Sequence, residues 1–197
     1  MSVHQLISRE SDRLRCREEN YGLEEADYYG LQYTVLQSLF PSCVGYIVHP
    51  QGCMFHDTQL LIPDFPVARW TGTGYYTPLV VESKRRIKDP AGRLRPEVVE
   101  RLMQEPFDVL KLASNRKATS IPGWIKDVEK YTIPLLAKLP SGRQGVVFFY
   151  FVNAIWYVGV HLVGEKRAKV FKSYVGHLVY DYKLLKHVAK GIKVYIG

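Results

Sequence analysis

The residues best suited to chemistry are Pro63-Asp64 and, 18 positions beyond the aspartate, Glu82-Ser83-Lys84, which closes the apolar run Leu79-Val80-Val81. Gly72-Thr73-Gly74 lies between them and has turn composition. In an antiparallel hairpin centred on Thr73, Asp64 and Glu82 stand opposite each other with Cβ atoms about 5 Å apart, close enough to share one divalent cation. Side chains two apart on a strand share a face, so Lys84 points the way of Glu82. Pro66 and Pro78 bring no N–H to the ladder, and the hairpin is expected to be irregular between them. Phosphodiester hydrolysis uses such a set: carboxylates that hold Mg²⁺ or Mn²⁺, and a cation that orients the attacking water or meets charge developing on the phosphate. The competing arrangement is a Glu82–Lys84 ion pair on a solvated strand, with Asp64 an unrelated turn residue. Leu79 to Val81 are apolar on both faces, which argues for a covered strand where unpaired charge is expensive.

Basic residues supply a second signal. Arg85, Arg86, Lys88, Arg93 and Arg95 follow Lys84 with only Asp89 against them, where a phosphate backbone can pass. Near the C-terminus Lys183, Lys186 and Lys190 recur at intervals of three and four, which makes one stripe of a helix, either phosphate-binding or simply solvated. The whole chain carries +8, and between Glu165 and Lys193 eight basic residues face two acidic ones. Such a field favours a polyanion, either DNA or an anionic membrane surface. Tyr75 and Tyr76 in the hairpin flap can stack on unpaired bases or pack internally.

Other patterns carry less. Cys43, His49, Cys53 and His56 include zinc-ligand types at a spacing that matches no familiar finger. Gly72-x-Gly74 is too short for a dinucleotide loop and no P-loop is present, so no nucleotide cofactor is expected. His161, His177 and His187 have no recognisable nucleophile beside them.

The elements that must position these groups read as follows. With 197 residues, 47% hydrophobic and 23% charged, the chain is expected to form one domain over 1–197, with room for a buried site. Leu23 to Phe40 has helical spacing. Cys43 to Val48, Phe55 to Phe65 and Thr77 to Lys84 have strand composition. Helical pattern returns from Pro96, interrupted at Pro106, and again over Pro122 to Lys138, broken at Pro134. Gly145 to Val163 has no formal charge and just reaches the length of a membrane span. Its β-branched and aromatic content, with Asn153-Ala154 in the middle, favours two buried strands and a tight turn. Lys169 to Val175 reads as a strand, and Asp181 to Lys190 as a helix capped by Gly191. The class is mixed α/β, a central mixed sheet flanked by helices. Three unpaired cysteines and a charged N-terminus without an apolar stretch suit a reducing, cytoplasmic setting and no membrane anchor.

Pro63-Asp64 followed by Glu82-Ser83-Lys84 resembles the PD-(D/E)XK nuclease motif, and the helix-strand-strand-strand-helix order around it is similar to the restriction-endonuclease-like core of that superfamily, over about residues 20–115. Residues 145–197 lie beyond it as further strands and a basic helix. The resemblance implies that Asp64 and Glu82 are metal ligands for Mg²⁺ or Mn²⁺ and that Lys84 is the catalytic lysine. Many members add an acidic residue from the first helix, a place that Glu24, Glu25 or Asp27 can fill; Glu24 and Glu25 also suit a helix N-terminus by charge alone. The chain departs from the RecB-like branch, since Gln104 lacks the context of that branch's glutamine motif, and it lacks four cysteines for an iron-sulfur cluster. The expectation is a magnesium-dependent deoxyribonuclease acting on branched or structured DNA, as Holliday junction resolvases do, and working as a homodimer that sets two sites on opposed strands. The alternative is a non-catalytic DNA-binding protein that keeps the fold.

Overall fold

A computed structural model describes residues 3–21, 25–52, 54–56, 59–84, 94–114 and 125–197. Two helices open the chain, α1 (Val3–Tyr21) and α2 (Glu25–Leu39). The helix expected from Leu23 is α2; α1 was not expected, because only Ile7 and Leu14 of its described side chains are buried and the remainder reads as charged surface. Pro41 and a 3₁₀ turn (Ser42–Val44) end the helical run, and β1 (Tyr46–Val48) follows.

The segment read as one strand over Phe55 to Phe65 divides instead into a small hairpin, β2 (Met54–His56) and β3 (Gln59–Leu61), and the start of β4 (Phe65–Trp70). Next comes β5 (Tyr75–Lys84), whose Leu79 to Ser83 are all buried. Helices α3 (Pro96–Gln104) and α4 (Val109–Ser114) are separated at Pro106 as expected. Helix α5 (Ile125–Leu136) runs through Pro134 and stops two residues later. The uncharged stretch is β6 (Gly145–Val152) and β7 (Ile155–Leu162), joined at Asn153-Ala154, with Asn153 in the left-handed region at φ 53°. Among the described residues no helix is long and apolar enough to cross a membrane.

Strand β8 (Lys169–His177) and helix α6 (Tyr182–Ile196) complete the chain. Gly191 does not cap α6, which continues to Ile196 and ends at Gly197, φ 79°. Its lack of a side chain has another cause: a Cβ there would lie 2.1 Å from the Phe107 carbonyl oxygen. The glycine lets α6 press against the loop before α4.

The six-stranded sheet has the order β1-β4-β5-β6-β7-β8, antiparallel throughout except that β5 and β6 run parallel. A parallel pair needs a crossover, and α3, α4 and α5 lie within it. Strand β6 is buried along its whole length because both faces are covered, which explains its unbroken apolar run. On one face Leu79, Val81, Phe149 and Phe151 join residues of α2, α4 and α6 in the main core. On the other, α5 sets Val128 against Phe148 and Tyr150, and Tyr131 against Val80 and Val146. The protein is therefore a mixed α/β fold with helices on both faces of a mixed sheet.

Candidate functional site

The site forms where β4 begins and β5 ends. Phe65 pairs with Val81, Pro66 with Val80 and Val67 with Leu79. The pairing ends at Phe65, and Asp64 lies in a bend at the same end of the hairpin as Glu82. Toward the turn the ladder slips, since Arg69 pairs with Tyr76 and leaves Thr77-Pro78 against Ala68. Pro78 sits in that bulge, where a missing N–H breaks no regular bond.

Asp64 lies in a bend just before β4, with all three of its oxygens hydrogen-bonded. Its Oδ1 accepts a 2.5 Å bond from the Tyr29 hydroxyl of α2, its Oδ2 a 2.7 Å bond from the Ser83 N–H, and its carbonyl a 2.6 Å bond from the Gln51 N–H. The carboxylate thus bridges a helix and a strand.

Glu82 is 2% exposed. Its Oε1 is 2.8 Å from the Lys84 ammonium and 3.6 Å from that of Lys130 on α5. Burial pushes the Glu82 carboxyl above its ordinary range, the Lys84 hydrogen bond opposes this, and the negative charge of Asp64 adds to the rise. The Glu82–Lys84 ion pair is therefore present, on a strand that is covered rather than solvated. Lys130 also rests 4.5 Å from the centre of the Tyr131 ring, whose hydroxyl donates to the Ile62 carbonyl at 3.1 Å.

Ser83 points to the opposite face, where its hydroxyl accepts a 2.9 Å bond from Gln32 Nε2. The same nitrogen donates 3.2 Å to the Asn153 carbonyl, so the fully buried Gln32 ties α2 to the end of β5 and to the β6–β7 turn. Tyr29, Gln32 and Lys130 were not singled out in the sequence. Helical spacing from Tyr29 to Gln32 was legible, but nothing local marks their partners.

The acidic residue expected from the first helix resolves only in part. Asp27 is committed elsewhere, 2.7 Å from Arg17 of α1. Glu24 lies outside the described residues, and Glu25 is the first residue of α2, one turn before Tyr29. Arg85, Arg86, Lys88 and Arg93 also lie outside the described residues, whereas Arg95 is exposed just ahead of Pro96. Lys183, Lys186 and Lys190 are exposed along α6, alternating with buried Leu184, Leu185, Val188 and Ala189. Tyr76 is drawn inward by a bond from its hydroxyl to the Ile196 carbonyl. Cys43 and His49 are exposed, Cys53 lies outside the described residues, and among those described no group of three or more His, Cys, Asp or Glu is placed to hold a metal.

Hard oxygen donors on neighbouring strands suit Mg²⁺, which commonly takes one or two carboxylates and completes its shell with water and substrate phosphate. By donor chemistry Asp64 and Glu82 fit such an ion. No protein-family model matches the chain, and neither does any curated protein or solved structure.

Proposed function

We propose that the protein is a metal-dependent deoxyribonuclease of the PD-(D/E)XK type, with Asp64 and Glu82 as metal ligands and Lys84 as the catalytic lysine. The observation that carries the reading is the register of β4 on β5, which pairs Phe65 with Val81 and so brings Asp64 and Glu82 to the same end of the hairpin, with the Lys84 ammonium on Glu82. The order α2, three antiparallel strands β1, β4 and β5, a helical crossover, and a parallel β6 is further support for a restriction-endonuclease-like core. Asp64 and Glu82 would hold Mg²⁺ or Mn²⁺, which when bound would supply an activated water and neutralise charge on the phosphate. Tyr29 and the Ser83 N–H hold Asp64 in one orientation. Lys84 presents a proton donor and a positive charge beside the attacked phosphate, and Lys130 brings a second cation to the same oxygen of Glu82. The exposed lysines of α6 contribute sequence-independent phosphate contacts.

A specific observation favours a second reading, a DNA-binding protein without activity. Two ammonium groups already engage Glu82 Oε1, and the described residues add no third acidic ligand. One experiment separates the two. Plasmid and synthetic junction DNA are incubated with the protein in Mg²⁺ or Mn²⁺, alongside Asp64→Ala and Glu82→Ala. Cleavage lost in both variants, with DNA affinity in EDTA retained, is the expected result; retardation without cleavage by the unaltered protein at any metal concentration overturns the nuclease.

A further inference from the structure

The hairpin joining β4 to β5 ends in two exposed aromatic rings. Trp70 and Tyr75 are cross-strand partners, 46% and 57% exposed, with ring centres 4.9 Å apart and planes inclined at 56°. Among the described residues most large apolar side chains are buried, and Trp70 and Tyr75 are two exposed rings held in mutual contact.

Alternation along the strands decides which way the pair faces. Pro66 pairs with Val80, and positions 66, 68 and 70 share a face of β4, as 80, 82 and 84 share one of β5. Trp70 and Tyr75 therefore lie on the face that carries Glu82 and Lys84. At about 3.3 Å per residue, the rings stand roughly 20 Å along β4 from Asp64. That span corresponds to about six stacked nucleotides.

The reverse face of the same hairpin is cationic. Arg69 lies 5.0 Å from the centre of the Tyr46 ring, and Arg143 lies 5.8 Å from that of Tyr76 while donating to the Tyr195 carbonyl. Among the described residues neither guanidinium is in an ion pair with a carboxylate. With a chain charge of +8, and with Lys84 and Lys130 at the far end of the aromatic face, the field is complementary to a polyanion and not to a neutral apolar partner.

We propose that Trp70 and Tyr75 form a stacking platform for unpaired bases of the nucleic-acid strand whose phosphate is engaged at Lys84. The inference rests on the nuclease reading for the class of ligand. Paired bases are already stacked on one another, so the platform selects single-stranded, gapped or frayed DNA over uninterrupted duplex. Of the two tyrosines in the hairpin flap Tyr75 serves here, whereas the Tyr76 hydroxyl is bonded internally to the Ile196 carbonyl.

The test is fluorescence anisotropy in EDTA with a labelled deoxythymidine oligonucleotide and with a blunt duplex. Trp70→Ala and Tyr75→Ala are each expected to weaken single-strand binding about tenfold while leaving duplex binding as it was, and Trp70→Phe to recover most of the loss. Equal losses on both DNAs, or none on the single strand, overturn the platform. Failure of the unaltered protein to bind either DNA also overturns it. Cleavage by the unaltered protein in Mg²⁺ is read separately. Absence of cleavage combined with the selective binding loss retires the nuclease and keeps the platform, and cleavage combined with unchanged single-strand binding does the reverse.

Discussion

Tyr29 donates a 2.5 Å hydrogen bond to Oδ1 of Asp64 across 35 positions of sequence, while the Ser83 N–H holds Oδ2 at 2.7 Å. One carboxylate is thereby clamped between α2 and β5 in a single orientation. A ligand fixed in this way needs no reorganisation when it meets a cation, and outer partners of this kind are typically worth 10- to 100-fold in metal affinity.

Tyr29→Phe keeps the ring, which packs edge-on to Phe65 with centres 5.3 Å apart, and removes only the hydroxyl. A hydrogen bond to a charged group contributes about 1.5 to 3 kcal/mol. Partial exposure of Asp64 favours the lower end, so urea denaturation should show a loss of about 1.5 kcal/mol. Isothermal titration should show Mg²⁺ binding about tenfold weaker than in the unaltered protein. An unchanged Mg²⁺ isotherm would mean that Asp64 is not a ligand or is not oriented by Tyr29.

The buried Glu82 makes stability depend on pH in a direction that its neighbours determine. Burial raises its pKa first of all and the Asp64 charge adds to that, whereas Lys84 and Lys130 pull the other way without cancelling it. A carboxyl whose folded pKa exceeds its unfolded value of about 4.5 contributes stability that is complete below that value and is lost as pH rises through the folded pKa. In EDTA, the unaltered protein should therefore lose stability relative to Glu82→Gln as pH is raised from 4.5. Urea midpoints for both proteins across that range check the sign. Parallel curves would place Glu82 in a solvated setting.

Gln32 is a joint rather than a ligand. Its Nε2 serves both the Ser83 hydroxyl and the Asn153 carbonyl inside the core. Gln32→Leu strands a buried carbonyl and should cost about 2 kcal/mol, or roughly 4 to 8 °C in melting temperature for a chain of this size. Gln32→Glu should cost more, because it replaces a donor by an acceptor facing that carbonyl and buries a charge. A glutamate variant more stable than the leucine variant would contradict the assigned orientation of the amide.

The hairpin was legible because strand pairing follows chain order, although spacing about Gly72-Thr73-Gly74 alone does not fix its register: the bulge at Thr77-Pro78 adds the residue that takes the pairing from Trp70–Tyr75 to Phe65–Val81. The Pro residues likewise marked where the ladder slips, and the apolar run with Asn153-Ala154 marked β6 and β7. What escaped were contacts between elements distant in sequence. Tyr29, Gln32 and Lys130 belong to the site only because α2 and α5 pack on opposite faces of β5, and no local pattern records that. Asp27 had the right type and helix, yet α1 places Arg17 beside it. Helix α1 itself buries too few described side chains to show a strong periodic stripe.

Gly191 tests the packing that delivers α6 to the sheet. In an ordinary exposed helix interior, Gly→Ala stabilises by about 1 kcal/mol. Here the added methyl would meet the Phe107 carbonyl oxygen at 2.1 Å and its Cβ at 2.8 Å, and the first of these is backbone. Backbone cannot rotate aside as a side-chain tip does, so α6 must shift away from Phe107, loosening the edge-on contact of that ring with Tyr174, whose centre is 4.8 Å away. Overpacking of this kind costs typically 1 to 3 kcal/mol, and it outweighs the gain in helix propensity. Gly191→Ala should therefore lower the melting temperature by several degrees, roughly 2 to 4 °C per kcal/mol. A rise instead would place α6 farther from Phe107 than it stands here.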